Sequence, residues 1–122
     1  MKFAYRKSRF MKAENIIGLA IYVVVALFMV AIGIAQLKSK DPVGFYTGEE
    51  PPKAESLTDV SAWNKRHGMM WLIYGIIIFV SYLIGSIIGE SIWSIIPMMG
   101  GVIIPLPFMI WYHHRLMKKF MR

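Results

Sequence analysis

Residues 69–112 read MMWLIYGIIIFVSYLIGSIIGESIWSIIPMMGGVIIPLPFMIWY, a stretch in which Glu90 is the only formally charged side chain. A bilayer hydrocarbon core of ~30 Å is crossed by about 20 apolar residues at about 1.5 Å rise each. The stretch is therefore long enough to cross twice, with Gly89-Glu90-Ser91 as the turn. This predicts membrane helices over Met69 to Ile88 and Ile92 to Tyr112, and so short a turn makes them adjacent and antiparallel. Upstream, the uncharged run from Asn15 to Leu37 predicts another span over Ile16 to Leu37. The expected fold is all-α, a single membrane domain over 1–122. Its helices lie at about 16–37, 60–88 and 92–112, with a polar loop 38–67 and a basic tail 113–122.

Composition agrees. Hydrophobic residues make up 57% of the chain and are concentrated in these blocks, leaving no amphipathic segments from which a separate water-soluble core could form. Cysteine is absent, which removes disulfides, thiolate metal sites and cysteine nucleophiles. The net charge of +7 is read as basic flanks that hold segment ends at anionic headgroups, not as a nucleic-acid footprint. Met1 to Lys12 followed by an apolar run resembles a signal peptide, but a signal core has about 7–15 apolar residues. Ile16 to Leu37 holds 22, so a retained first helix is expected. Lys2, Arg6, Lys7, Arg9 and Lys12 alternate with Phe3, Tyr5, Phe10 and Met11, which suits a short interfacial helix or a plain charged anchor.

The loop is punctuated by Asp41-Pro42, Gly44, Gly48 and Pro51-Pro52, so its first half is expected to be irregular. Ser56 to Asp59 offers N-cap candidates, and Trp63, His67, Met70, Trp71 and Tyr74 recur at helical spacing. The second helix is thus expected to begin in water near Asp59 or Val60. Within it, Ser81, Gly85 and Gly89 recur every four residues, a small-residue stripe that lets another helix approach, from this chain or from a second copy. The third span carries Pro97, Gly100, Gly101, Pro105 and Pro107. It is either broken at its middle, exposing backbone along a transport pathway, or kinked with its freed carbonyls paired to neighbours. The second form is preferred because no ionisable residue accompanies the glycine pair.

Three spans place the termini on opposite sides. Loop and C-terminal tail together hold nine Lys and Arg against five at the N-terminus, which favours a cytoplasmic loop and tail. The histidines are His67, His113 and His114; neighbours on a helix diverge by about 100°, and no carboxylate or thiolate shares a close motif with them, so no metal or cofactor site is expected. No phosphate loop, nucleophile elbow or zinc-protease motif occurs, and no enzyme is expected.

Gly44-Phe45-Tyr46-Thr47, followed by Trp63-Asn64-Lys65-Arg66-His67-Gly68 at the start of a membrane helix, resembles the signature of the SdpI-type bacteriocin-immunity family. That family places a Gly-aromatic-Arg-Thr element, a Trp and a polar basic cluster between two membrane helices, with a third helix following. Tyr46 stands where the family has Arg, and Gly48 to Lys53 lengthens the gap before Trp63. The resemblance carries over Gly44, Thr47, Trp63, Asn64, Arg66 and Gly68 as signature positions, none catalytic, and implies a cytoplasmic loop. Trp63, Arg66 and His67 lie within about a turn of one another where the helix enters the membrane, so they are read as candidate partner contacts as well as anchors. The resulting expectation is a multi-pass protein of the bacterial inner membrane that binds another membrane protein or peptide, in SdpI-like immunity or sensing. The rival expectations are a small transporter or channel subunit using the third helix, and a structural accessory subunit of a larger complex.

Overall fold

The computed structural model describes residues 13–45, 50–89 and 91–122, with backbone alone for 13–15. The expectations placed on residues 1–12, on Tyr46, Thr47 and Gly48, and on Glu90 lie outside the described residues. Among the described residues four helices follow in order: α1 (Ala13–Lys38), α2 (Val60–Ile88), α3 (Ile95–Ile103) and α4 (Pro105–Phe120), with single 3-10 turns at Ala54–Ser56 and Ile92–Ser94. Helices α3 and α4 run end to end, so three segments, Ile16–Lys38, Val60–Ile88 and Ile92–Phe120, are long and apolar enough to cross a bilayer. The chain is an all-α membrane protein of three spans. Its outward side chains fit lipid, not water: Ile87 is 84% exposed and Ile92 74%.

The start of α2 follows from Asp59, which is extended (φ −154°) and whose carboxylate accepts from the Ala62 N–H at 3.0 Å. That bond satisfies one of the four N–H groups a helix leaves unpaired at its beginning. At the other end Gly89 takes φ 93°, a left-handed conformation that stops the helix at little steric expense. Nothing lies within 4 Å of where a Gly89 side chain would begin, so Gly89 terminates α2 and does not extend the packing stripe as expected.

Helix α2 is central, with α1 antiparallel on one side and α3 on the other. Gly33 and Gly68 face each other where α1 and α2 cross: a Cβ on Gly33 would meet the Gly68 carbonyl oxygen at 2.6 Å, and one on Gly68 would meet the Gly33 oxygen at 2.7 Å. Gly68, expected at a partner surface, is therefore a helix-crossing residue. A turn-pair deeper, Gly75 packs on the Ala26 backbone. Ser81 and Gly85 do form a close contact, and the partner is α3 of the same chain: a Cβ on Gly85 would meet Met98 at 2.5 Å and the Ser94 oxygen at 3.0 Å, while one on Gly101 would overlap Ser81.

The third span is divided at Ile104 and is not unwound at the glycine pair. Gly100 and Gly101 lie inside α3, the Ile104 N–H still donates to the Gly100 oxygen at 2.9 Å, and Ile104 itself keeps helical dihedrals. The interruption falls at Ile104-Pro105 because Pro105 and Pro107 have no N–H to give to the preceding turn. Carbonyls near this point take donors from the other helices: Tyr74 Oη–H donates to the Val102 oxygen at 2.7 Å and Tyr22 Oη–H to the Met98 oxygen at 3.0 Å. Pro97, placed in the first turn of α3, breaks nothing, since the first-turn N–H groups are unpaired in any helix.

The basic tail also differs from expectation, because α4 continues to Phe120 with His113, Leu116 and Phe120 buried. These residues recur at three- and four-residue spacing, so one face of the tail is interior while Arg115, Lys118 and Lys119 stay exposed. Beyond it, Leu57 and Met121 form an antiparallel bridge, in which the Thr58 N–H donates to the Phe120 oxygen at 2.7 Å and the Arg122 N–H to the Ser56 oxygen at 2.8 Å. Loop and C-terminus thus occupy one end of the bundle.

Gly85→Leu is expected to lower the thermal midpoint in detergent, by an overpacking cost of about 1–3 kcal/mol. Ile84→Leu, on an exposed position, leaves it within error. Gly101→Ala should destabilise while Gly100→Ala does not, since only the Ile104 side chain, at 3.4 Å, borders Gly100. Equal midpoints across these pairs would show that the α2–α3 face is not in contact.

Candidate functional site

The most ordered polar chemistry sits where α2 leaves the apolar zone. Trp63, Asn64 and His67 are 1%, 2% and 0% exposed, on a helical stripe that continues through Trp71 and Tyr74. Each of the first three uses its polar atoms inward. Trp63 Nε1–H donates to the Val43 oxygen at 2.8 Å, and Asn64 Oδ1 accepts from the Val43 N–H at 3.1 Å. Asn64 Nδ2 donates to both the Ser39 (3.1 Å) and Asp41 (2.9 Å) oxygens. Two further donors extend the strap: Trp71 Nε1–H to the Phe45 oxygen at 2.9 Å, and Gln36 Nε2 to the Gly44 oxygen at 3.2 Å. The irregular segment Ser39–Phe45 has no ladder of its own, and these side chains supply the partners that its backbone requires.

His67 joins this strap to α4. Its Nδ1 lies 2.9 Å from the Trp63 carbonyl, which can only accept, so Nδ1 is assigned the proton. With one proton per ring, His67 Nε2 is then the acceptor for His113 Nδ1–H at 2.8 Å. A chain of two hydrogen bonds therefore links His113 through His67 to the Trp63 carbonyl. Phe45 stacks on His113 (centroids 4.8 Å apart, 17° between planes), and Trp63 lies 4.3 Å from the His67 ring. Below these rings Leu57, Trp63, Leu116 and Phe120 close a second apolar cluster.

The residues expected to meet a partner are thereby sorted. Trp63, Asn64 and His67 are interior and cannot touch one, because their polar atoms are used to hold the loop and their faces are covered. Gly44 contributes a carbonyl to the strap. Gly68 lies at the α1–α2 crossing, and Thr47 lies outside the described residues. Arg66, one residue from His67 in sequence, is exposed on a different face of α2. Sequence reasoning missed the His67–His113 contact; the burial spacing His113, Leu116, Phe120 was a usable signal for an interior face in the tail. His114 is exposed and does not join the pair, and no group of three His, Cys, Asp or Glu converges among the described residues. Around the strap, Lys40, Asp41, Lys53, Glu55, Lys65 and Lys118 face outward. The site can therefore present a charged surface in fixed geometry.

Asn64→Ala removes three hydrogen bonds to the loop backbone, taking those partners from the Val43 N–H and the Ser39 oxygen while the Asp41 oxygen keeps Ser39 Oγ–H, and is expected to cost about 2 kcal/mol. In detergent, trypsin should then cut at Lys40 several-fold faster than in the parent, with helix content unchanged. An unaltered rate would mean that the segment is held by something else.

No protein-family model matches the chain, and no similar curated protein or solved structure was found.

Proposed function

We propose that the chain is a non-catalytic membrane protein of the bacterial inner membrane that recognises another membrane protein or a peptide through the end of the bundle where loop and C-terminus meet. SdpI-type bacteriocin immunity or sensing is the specific form of this reading. The observation that carries it is the strap: four side chains, Gln36 of α1 and Trp63, Asn64 and Trp71 of α2, hold Ser39–Phe45 against the helix pair, so the outward groups beside it are set in place before any partner arrives. Such preorganisation lowers the ordering cost of binding, which is what a recognition surface needs. The rival reading, a pathway along the third span, is less well supported. Gly100-Gly101 stays helical, and the tyrosine hydroxyls already occupy carbonyls beside the interruption.

Expression in a bacterium sensitive to the peptide toxins that SdpI-type proteins counter is expected to raise survival. Asn64→Ala should lose most of that protection at equal membrane abundance, and Gly100→Leu should keep it. Protection lost with Gly100→Leu and retained with Asn64→Ala would favour the pathway reading instead. The orientation is tested separately. In intact cells, single cysteines at Ser56 and Arg122 should resist an impermeant thiol reagent while one at Ser8 is labelled; the reverse pattern would overturn the cytoplasmic placement, and partial labelling everywhere would indicate dual insertion.

A further inference from the structure

The third span is anchored to α2 at both ends, α3 through Gly85, Ser81 and Gly101 and the end of α4 through His113, Leu116 and Phe120, and Met109 packs on Met70 and Tyr74 between them. Beside this contact, where the helix is interrupted at Ile104-Pro105, a groove of 340 Å³ remains between α2 and α4. Arg66, Met69, Ile73 and Ile77 form one wall, Phe108 and Trp111 the other, and Met70, Tyr74 and Met109 the floor. The groove opens sideways, toward where lipid lies, since Ile73, Phe108 and Trp111 are all exposed.

Its length and its charge identify an occupant. From Arg66 to Ile77 is 11 residues, about 16 Å of helix at 1.5 Å each, close to half of a ~30 Å hydrocarbon core. The groove thus spans about one leaflet. An uncharged lining over about one leaflet's depth with a cation at one end matches a single acyl chain below an anionic headgroup. Among the described lining residues Arg66 is the only charged one, and it stands at the headgroup end. Arg115, outside the lining, is turned onto the Trp111 ring at 5.0 Å. We infer that this groove is a binding site for one anionic phospholipid, with an acyl chain lying between α2 and α4 and the phosphate on the Arg66 guanidinium. The chain fills apolar space that water would not occupy, and the phosphate gains charge-assisted hydrogen bonds. This site is separate from the strap and does not depend on the recognition reading.

Native mass spectrometry of the full chain, released from detergent with phosphatidylglycerol or phosphatidylcholine added at equal concentration, reads the site directly. One retained phosphatidylglycerol per chain is expected, preferred over phosphatidylcholine by about fivefold, the equivalent of ~1 kcal/mol for a basic side chain at the surface. Arg66→Gln should reduce the preference to about one. Ile73→Trp, which fills the groove, should abolish retention of either lipid, while Ile76→Trp, exposed and outside the lining, should not. Circular dichroism confirms that each variant is folded, and Ile77→Phe replaces Ile73→Trp if that one is not. Retention unaffected by filling the groove would overturn the inference and leave only annular lipid. A dimer that Ile73→Trp disrupts would overturn it in favour of a second copy.

Discussion

A backbone carbonyl or N–H that leaves the helical pattern, whether within the bilayer or against the packed end of the bundle, must find a partner, and this protein is organised around supplying those groups. Six side chains meet the demand: Gln36, Trp63, Asn64 and Trp71 donate to the backbone of Ser39–Phe45, and Tyr22 and Tyr74 donate to carbonyls of α3. All of them belong to α1 or α2. The central helix pair, brought together by Gly33 facing Gly68, therefore serves as the rigid donor array against which the loop and the third span are shaped.

This arrangement explains why the polar residues of the spans are so few and so placed. An unpaired buried carbonyl costs about 1–3 kcal/mol, and the Trp63 and Trp71 indoles and the Tyr22 and Tyr74 hydroxyls stand where one is needed. The His67–His113 bond extends the same logic across the molecule, tying the third span to the helix that holds the loop. The two regions then behave as one unit at the end of the bundle, and the bridge between Leu57 and Met121 closes it.

Much of this was legible in the chain itself. The uncharged lengths between Asn15 and Tyr112 and the short turn at Gly89 specify three antiparallel spans. Asp59 announces the start of α2, and the spacing of Trp63, His67, Trp71 and Tyr74 marks its buried stripe. The site was less legible because its contacts join residues far apart in sequence, His67 with His113 and Thr58 with Phe120, and local periodicity says which face is buried but not against what. Trp63 and Asn64 looked like surface recognition groups because an indole or an amide near a headgroup boundary suits either use; only the position of Val43 decides that they face inward. Of the candidate interruptions Pro97, Gly100, Gly101 and Pro105, the helix is divided at Ile104-Pro105, because glycine permits a break whereas a missing N–H compels one.

The central claim is that buried side chains and the C-terminal bridge hold loop and tail in a single fixed structure. Amide hydrogen exchange of the parent protein in lipid nanodiscs tests it most directly. The account predicts strong protection of the Val43, Thr58 and Arg122 amides, whose acceptors are Asn64 Oδ1 and the Phe120 and Ser56 oxygens, against fast exchange at exposed Lys40. Exchange at those three amides as fast as in an unstructured peptide would contradict it.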